Sequence, residues 1–212
     1  MQQRSRRRYD AIIDAAAIAF AEQGFDATTM EAIAVRAHTS IGSLYQFFPN
    51  KAALFDAMAE RCLARSREMF AHLFAVVTPS TPWTVILDGA VDALAELHAS
   101  DPAFRAAMVN FSLYPTFEQR EDALKADMVT IVSHLIASRA PRMERSRAAT
   151  LAGVIVQLIT AMIFYADRGG SSQRAVLLEE TKTVLRRYLE PELVTKTSRA
   201  RSARTRLPTR HR

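Results

Sequence analysis

A single cysteine in 212 residues excludes an intrachain disulfide framework. Cys62 has mostly apolar, helix-favouring neighbours, which marks it as a packed thiol instead of a reactive one, and a reducing cytoplasm is the expected compartment. Glycine is also scarce, at six residues, and none of them builds a glycine-rich phosphate loop. The histidines at 38, 72, 98, 134 and 211 show no paired ligand spacing, so neither a zinc nor a haem site is expected. No catalytic constellation, metal or cofactor is therefore assigned. The longest apolar stretch, Val154 to Ala166, is interrupted by Gln157 and falls short of the roughly 20 residues a bilayer requires. No membrane span is expected. Arg6 to Arg8 precede an apolar segment, as in an export signal, yet Asp14 and Glu22 interrupt that segment and no small-residue cleavage pattern follows. Nor is any alternation of apolar and polar residues long enough to demand a strand, which leaves an all-α fold.

What is present is an apolar fraction of 49%, enough to fill a core, and an uneven charge. The net +6 comes from two arms, because residues 1 to 8 hold four arginines and Lys196 to Arg212 holds seven Lys or Arg with no acid. Without those arms the chain carries 17 basic and 22 acidic residues, so the body is acidic. Basic arms beside a folded body meet phosphate or another anionic surface. For the tail at 195–212, which lacks apolar periodicity and is expected to be disordered, a plain solubilising role is equally open.

Tyr9, Ile12, Ile13, Ala16 and Phe20 recur at three- and four-residue spacing, and Gly24 with Phe25 supplies a stop. A first helix is expected at about 5–23. Thr28 stands three residues before Glu31, the spacing of a capping box, and a short helix over Met30 to Ala37 follows. After a three-residue break at His38 to Ser40 comes a second short helix, Ile41 to Phe47, then Pro49 and a new helix from Asn50. Two short helices joined by so tight a turn form a helix-turn-helix.

The segment from Thr28-Thr-Met-Glu-Ala-Ile-Ala through Ser40-Ile-Gly-Ser-Leu-Tyr, Phe48-Pro-Asn-Lys51 and Ala53-Leu-Phe55 resembles the DNA-binding domain of TetR regulators. The resemblance covers about 50 residues and implies a domain at 1–50 that reads DNA. It further implies phosphate contacts from Thr29, Ser43, Tyr45 and Lys51, with Ser40, Ile41, Gly42 and Gln46 facing bases. Gln46 is the best candidate for direct readout, since an amide pairs with adenine in the major groove. Leu44 and Phe48 are expected to pack inward. Three residues depart from the family pattern: His38 replaces the usual turn glycine, Ile41 a commonly polar residue and Phe47 a frequent histidine.

Residues 51–194 read as a helical domain for ligand sensing and dimerisation. Thr81-Pro82, Asp101-Pro102, Tyr114-Pro115, Pro141 and Gly169-Gly170 punctuate it into helices at about 51–77, 83–99, 102–113, 117–139, 143–167 and 173–189, nine with the first three. The helix at 143–167 is apolar almost all round, through Leu151, Val154, Ile155, Leu158, Ile159, Met162, Ile163 and Phe164. Such a helix must be covered on every side. With the stripe Val176, Leu177, Val184, Leu185 and Tyr188 of the next helix it is expected to form a four-helix homodimer interface. A pocket for a small, largely apolar effector is expected from Phe74, Trp83, Met108, Phe111, Tyr114, Met128 and Phe164, with Asn110 and Gln157 as its hydrogen-bonding residues. Asp88, Asp92 and Glu96, every four residues, suit either a cationic ligand or a solvated face.

These expectations describe a cytoplasmic, homodimeric transcriptional regulator that represses from a palindromic double-stranded operator and is released by a small molecule. The competing reading is a DNA-binding regulator without a ligand, constitutive or controlled by a protein partner. A third class, a basic protein whose arms bind membrane surfaces, is testable with anionic liposomes.

Overall fold

The structure, a computed structural model, describes residues 3–109 and 115–193. The basic tail, most of which is the stretch from Lys196, lies outside the described residues, as do Asn110, Phe111 and Tyr114. Nine helices run through the described residues, with no strand: α1 (Gln3–Ala27), α2 (Met30–Arg36), α3 (Ile41–Phe47), α4 (Lys51–Ala75), α5 (Trp83–Ser100), α6 (Pro102–Val109), α7 (Pro115–Arg139), α8 (Arg145–Ala166) and α9 (Ser171–Leu193).

Two compact units divide this chain. Among the described residues, the first comprises 3–76, 92–109 and 115–124, and the second 77–91 and 125–193. The first unit is built on the stripe read from α1, whose Ile12, Ile13, Ala16 and Phe20 are fully or almost fully buried. Against it pack Ile33 and Ala34 of α2, Leu44 of α3, Leu54, Phe55, Met58 and Cys62 of α4, and Ala103, Phe104 and Ala106 of α6. Phe20, Phe25 and Phe55 lie within 5.3–5.7 Å of one another, tilted or edge-on, in the geometries aromatic rings prefer. Gly24 interrupts α1 at φ 79° and ψ 166°, a combination open almost exclusively to glycine. A Cβ there would meet nothing within 4 Å, so the requirement is conformational, not steric.

The capping residue of α2 is Thr29, one position later than the Thr28–Glu31 spacing suggests. Thr29 Oγ1 accepts from the Ala32 amide at 3.1 Å, whereas Thr28 is fully buried and donates to the carbonyls of Gly24 (2.7 Å) and Ala19 (3.3 Å). Thr28 thus ties the broken end of α1 to the start of α2. Further along, Asp101 caps α6 through the Ala103 amide at 2.9 Å and is salt-bridged to Arg65 of α4. That bond holds the Arg65 guanidinium above its ordinary pKa. Arg61, one turn earlier on α4, reaches Asp14 of α1 at 2.7 Å. Two arginines therefore fasten α4 to both of its neighbours.

Cys62 is buried in this core, and desolvation, followed by the charge of Asp101, pushes its thiol up to about 12. Raising the pKa of an acid favours its neutral form, so native protein at pH 8 holds almost no thiolate. A disulfide reagent is expected to leave folded protein unlabelled and to titrate one thiol after denaturation; rapid labelling of the native state would show that the core opens.

In the second unit, Leu151, Ile155, Ile159 and Ile163 of α8 are buried alongside Leu178, Leu185 and Leu189 of α9. Among the exposed residues of these two helices are four large apolar or aromatic ones, Tyr165, Val176, Val184 and Tyr188. By length and composition α8 is apolar enough to cross a membrane, although one-third of its most apolar window is buried in the chain. Gln157 breaks the continuous run without lowering the average far. Arg186 of α9 pairs with Asp88 of α5, its Nε at 3.0 Å from Oδ1. Asp88 is committed to that pair. Arg139 closes the loop before α5 by donating to the carbonyls of Thr78 (3.3 Å) and Thr81 (3.2 Å).

Candidate nucleic-acid interface

The turn between α2 and α3 follows from its hydrogen bonds. The His38 amide donates to Val35 O at 3.1 Å and the Thr39 amide to Ala34 O at 3.0 Å, the paired bonds of a helix that ends on one left-handed residue. His38 is that residue, at φ 50°, in the position where glycine is usual. Histidine accepts this conformation more readily than bulky or branched residues. Ser40 then caps α3, its Oγ accepting from the Ser43 amide at 3.2 Å.

α3 is anchored by Leu44, fully buried, and by Phe48 just past its end, at 3% exposure. Tyr9 of α1 holds Phe48 with ring centroids 5.1 Å apart, and holds Phe47 edge-on at 6.1 Å. Phe47, standing where the family often has histidine, is thereby a packing residue. With that side fixed inward, Ser40, Ile41, Gly42, Tyr45 and Gln46 are exposed on the other. Gly42 has no heavy atom within 4 Å of where a Cβ would stand, and the surface above it is open. Thr29 is exposed at the start of α2; its oxygen accepts a backbone bond and its O–H is still able to donate.

Ser43 and Lys51 are engaged within the chain. Ser43 Oγ accepts from Nη1 of Arg8 at 3.2 Å. The Lys51 ammonium donates to three carbonyls, Phe25 O (2.6 Å), Asp26 O (3.2 Å) and Thr28 O (2.7 Å), and lies 4.4 Å from the centre of the Phe25 ring. A lysine has three N–H donors, and all three are spent here. The phosphate role suggested for Lys51 by resemblance thus meets a competing use. Sequence spacing does not signal that use, because the partners lie 23 to 26 residues away.

The residues suggested for an effector pocket fall in different places. Phe74 belongs to the first unit, half-buried and stacked on Phe70 at 6.1 Å. Trp83, Met128 and Phe164 belong to the second; Met128 is buried, Trp83 is half-buried, and the Phe164 ring lies under the Arg168 guanidinium at 4.3 Å. Gln157, suggested as a hydrogen-bonding group for the effector, is exposed on α8: the buried side of the helix is set by residues 151, 155, 159 and 163, and 157 falls opposite. The side chain of Met108, together with Asn110, Phe111 and Tyr114, lies outside the described residues.

Two family descriptions match this chain. Residues 12–58 match bacterial regulatory proteins of the tetR family, and residues 82–189, half of the chain, match the tetracyclin repressor-like C-terminal domain. The uncharacterized HTH-type transcriptional regulator YhgD of Bacillus subtilis (strain 168) is 36% identical over 76 residues, which cover 36% of this chain and 38% of that protein. A TetR-family regulator from Streptomyces coelicolor is 25% identical with a TM-score of 0.61, covering 88% of this chain and 99% of the other. AibR, solved with isovaleryl coenzyme A and operator DNA, has a TM-score of 0.65 at 16% identity, covering 84% and 97%.

Proposed function

Because the chain belongs to the tetR family of bacterial regulatory proteins, we propose that it is a homodimeric repressor that binds a palindromic operator and lets it go when a small effector binds. The observation that carries this reading is the exposed face of α3, presented outward by the buried Leu44 and Phe48. Ser40, Ile41, Gly42 and Gln46 meet base edges, while Thr29, Ser43 and Tyr45 fix the helix pair on phosphates. Ile41, 38% exposed, suits a thymine methyl better than a hydrogen-bonding edge.

A seven-residue recognition helix covers too few bases to select one site, and a second copy related by a twofold axis doubles the footprint. The exposed Tyr165 of α8 and Val176, Val184 and Tyr188 of α9 supply the dimer contact. Effector release then requires that ligand favour a dimer whose recognition helices no longer match the half-site spacing. A coupling of about 1–3 kcal/mol lowers operator affinity roughly 5- to 150-fold. The related fold of AibR, captured with a coenzyme A thioester and its operator, supports an organic effector here. Trp83, Met128 and Phe164, all in the second unit, are proposed as apolar lining for it.

Genome-wide mapping of bound sites tests the reading. Recovery of a shared inverted repeat upstream of a few genes supports it, and neighbouring genes indicate the effector; binding without any shared sequence overturns it. Replacing Gln46 with alanine is expected to relax base preference at one position in each half-site, at a cost of about 1–3 kcal/mol. An equal loss on every sequence in competition titrations would remove Gln46 from base readout.

A further inference from the structure

Two cations beside the helix pair, Lys51 and Arg8, have different partners. The Lys51 ammonium has three N–H donors and three carbonyl partners, all at the junction of α1 and α2, with the Phe25 ring beside them. Carbonyls at the end of a helix carry partial negative charge, so the ammonium is held where charge and hydrogen bonding both favour it. A phosphate would have to displace one of these bonds. Arg8 is arranged otherwise. It is exposed on α1, and one of its five N–H donors meets Ser43 Oγ at the first turn of α3. Arg4, one turn earlier on α1 and also exposed, extends the same positive edge.

We propose that Arg8 is the phosphate-binding cation beside the recognition helix, and that Lys51 is a positioning residue which clamps the α1–α2 turn and touches no phosphate. The proposal rests on the DNA-binding reading above. Ser43 then has a defined part: its oxygen accepts from Arg8 while its O–H donates to the same phosphate, so that one anion is held by a guanidinium and a hydroxyl together. Arg8 is suited to this role because its planar fork grips phosphate with two parallel N–H bonds. Lys51 acts indirectly, by fixing Thr29 and the start of α2 relative to α1.

Salt dependence separates the two roles, since each neutralised phosphate contributes about −0.9 to the slope of log affinity against log salt. The measurement uses full-length dimeric protein on a mixed-sequence 24-base-pair duplex (roughly two turns), which needs no knowledge of the operator, with thermal unfolding measured in parallel. Arg8→Gln is expected to flatten the slope by about 1.8, one contact per protomer, and to leave the thermal midpoint unchanged. Arg8→Lys is expected to restore most of the slope. Lys51→Met is expected to lower the thermal midpoint and to leave the slope of the folded fraction as in the wild type. An unaltered slope for Arg8→Gln, or a slope flattened by Lys51→Met at an unchanged thermal midpoint, overturns the assignment. Should Lys51→Met not fold, the Arg8 pair decides alone. Failure of the wild type to bind any duplex at low salt would instead overturn the DNA-binding reading itself.

Discussion

Truncating Phe20 to alanine is expected to cost about 3–5 kcal/mol, the range for removing a fully buried aromatic side chain. Phe20 has no exposed surface and touches both Phe25, beyond the break in α1, and Phe55 on α4. Three helical segments lose a common contact when the ring is removed, and the cavity cannot close by moving one of them. A domain of this size is stable by only about 5–15 kcal/mol, so the loss is a large share of the total. Urea denaturation is expected to show a lower midpoint at similar slope, and DNA affinity is expected to fall with the folded fraction. Replacing the exposed Arg36, whose bond to Glu22 spans α2 and α1, provides the contrast, at below about 1 kcal/mol. Equal costs for the two substitutions would show that the ring cluster is not the core of the first unit.

The difference between these two residues was visible in the sequence, because Phe20 lies on a stripe of three- and four-residue spacing and Arg36 does not. The same periodicity located α1, α3, α8 and α9, and prolines after capping residues located the starts of α5 and α6. Local signals did less well where two residues compete for one task. Thr28 and Thr29 both suit a cap, and the choice falls to Thr29 because Thr28 is drawn to the carbonyls of Gly24 and Ala19. The spatial partners of α6 were hidden for a related reason: its burial against α1 joins residues some 90 positions apart, and nothing in the spacing of Phe104 and Ala106 names that partner. The engagement of Lys51 is the clearest case, since a lysine at the start of a helix looks the same whether it faces phosphate or folds back onto carbonyls. Gln157 shows the limit of polarity as a guide. A lone amide in an apolar helix suggested a hydrogen bond to an effector, and the register of its neighbours places it on the exposed side.

The largest functional effect is expected from Val184→Glu on the open face of α9. Val184 is 49% exposed and lies two turns from Val176, at 60%, and one turn from Tyr188, with Tyr165 of α8 exposed at 55%. An uncovered face of this kind is costly in water and matches the contact through which the proposed dimer would form. A glutamate there appears twice in a twofold interface, once from each protomer, so two like charges are buried together without partners. The chain is expected to become monomeric with little change in its own helix content, because the substituted side chain lies on the outer side of α9 while Leu185 and Leu189 keep the inner side packed. Operator binding then loses its second half-site. Linking two recognition helices in one particle is worth roughly 10²- to 10⁴-fold in affinity, and that factor is the expected loss. Light scattering with operator titration checks both parts: a monomer that retains wild-type operator affinity would disprove the need for a dimer, and an intact dimer would place the interface elsewhere than on α9.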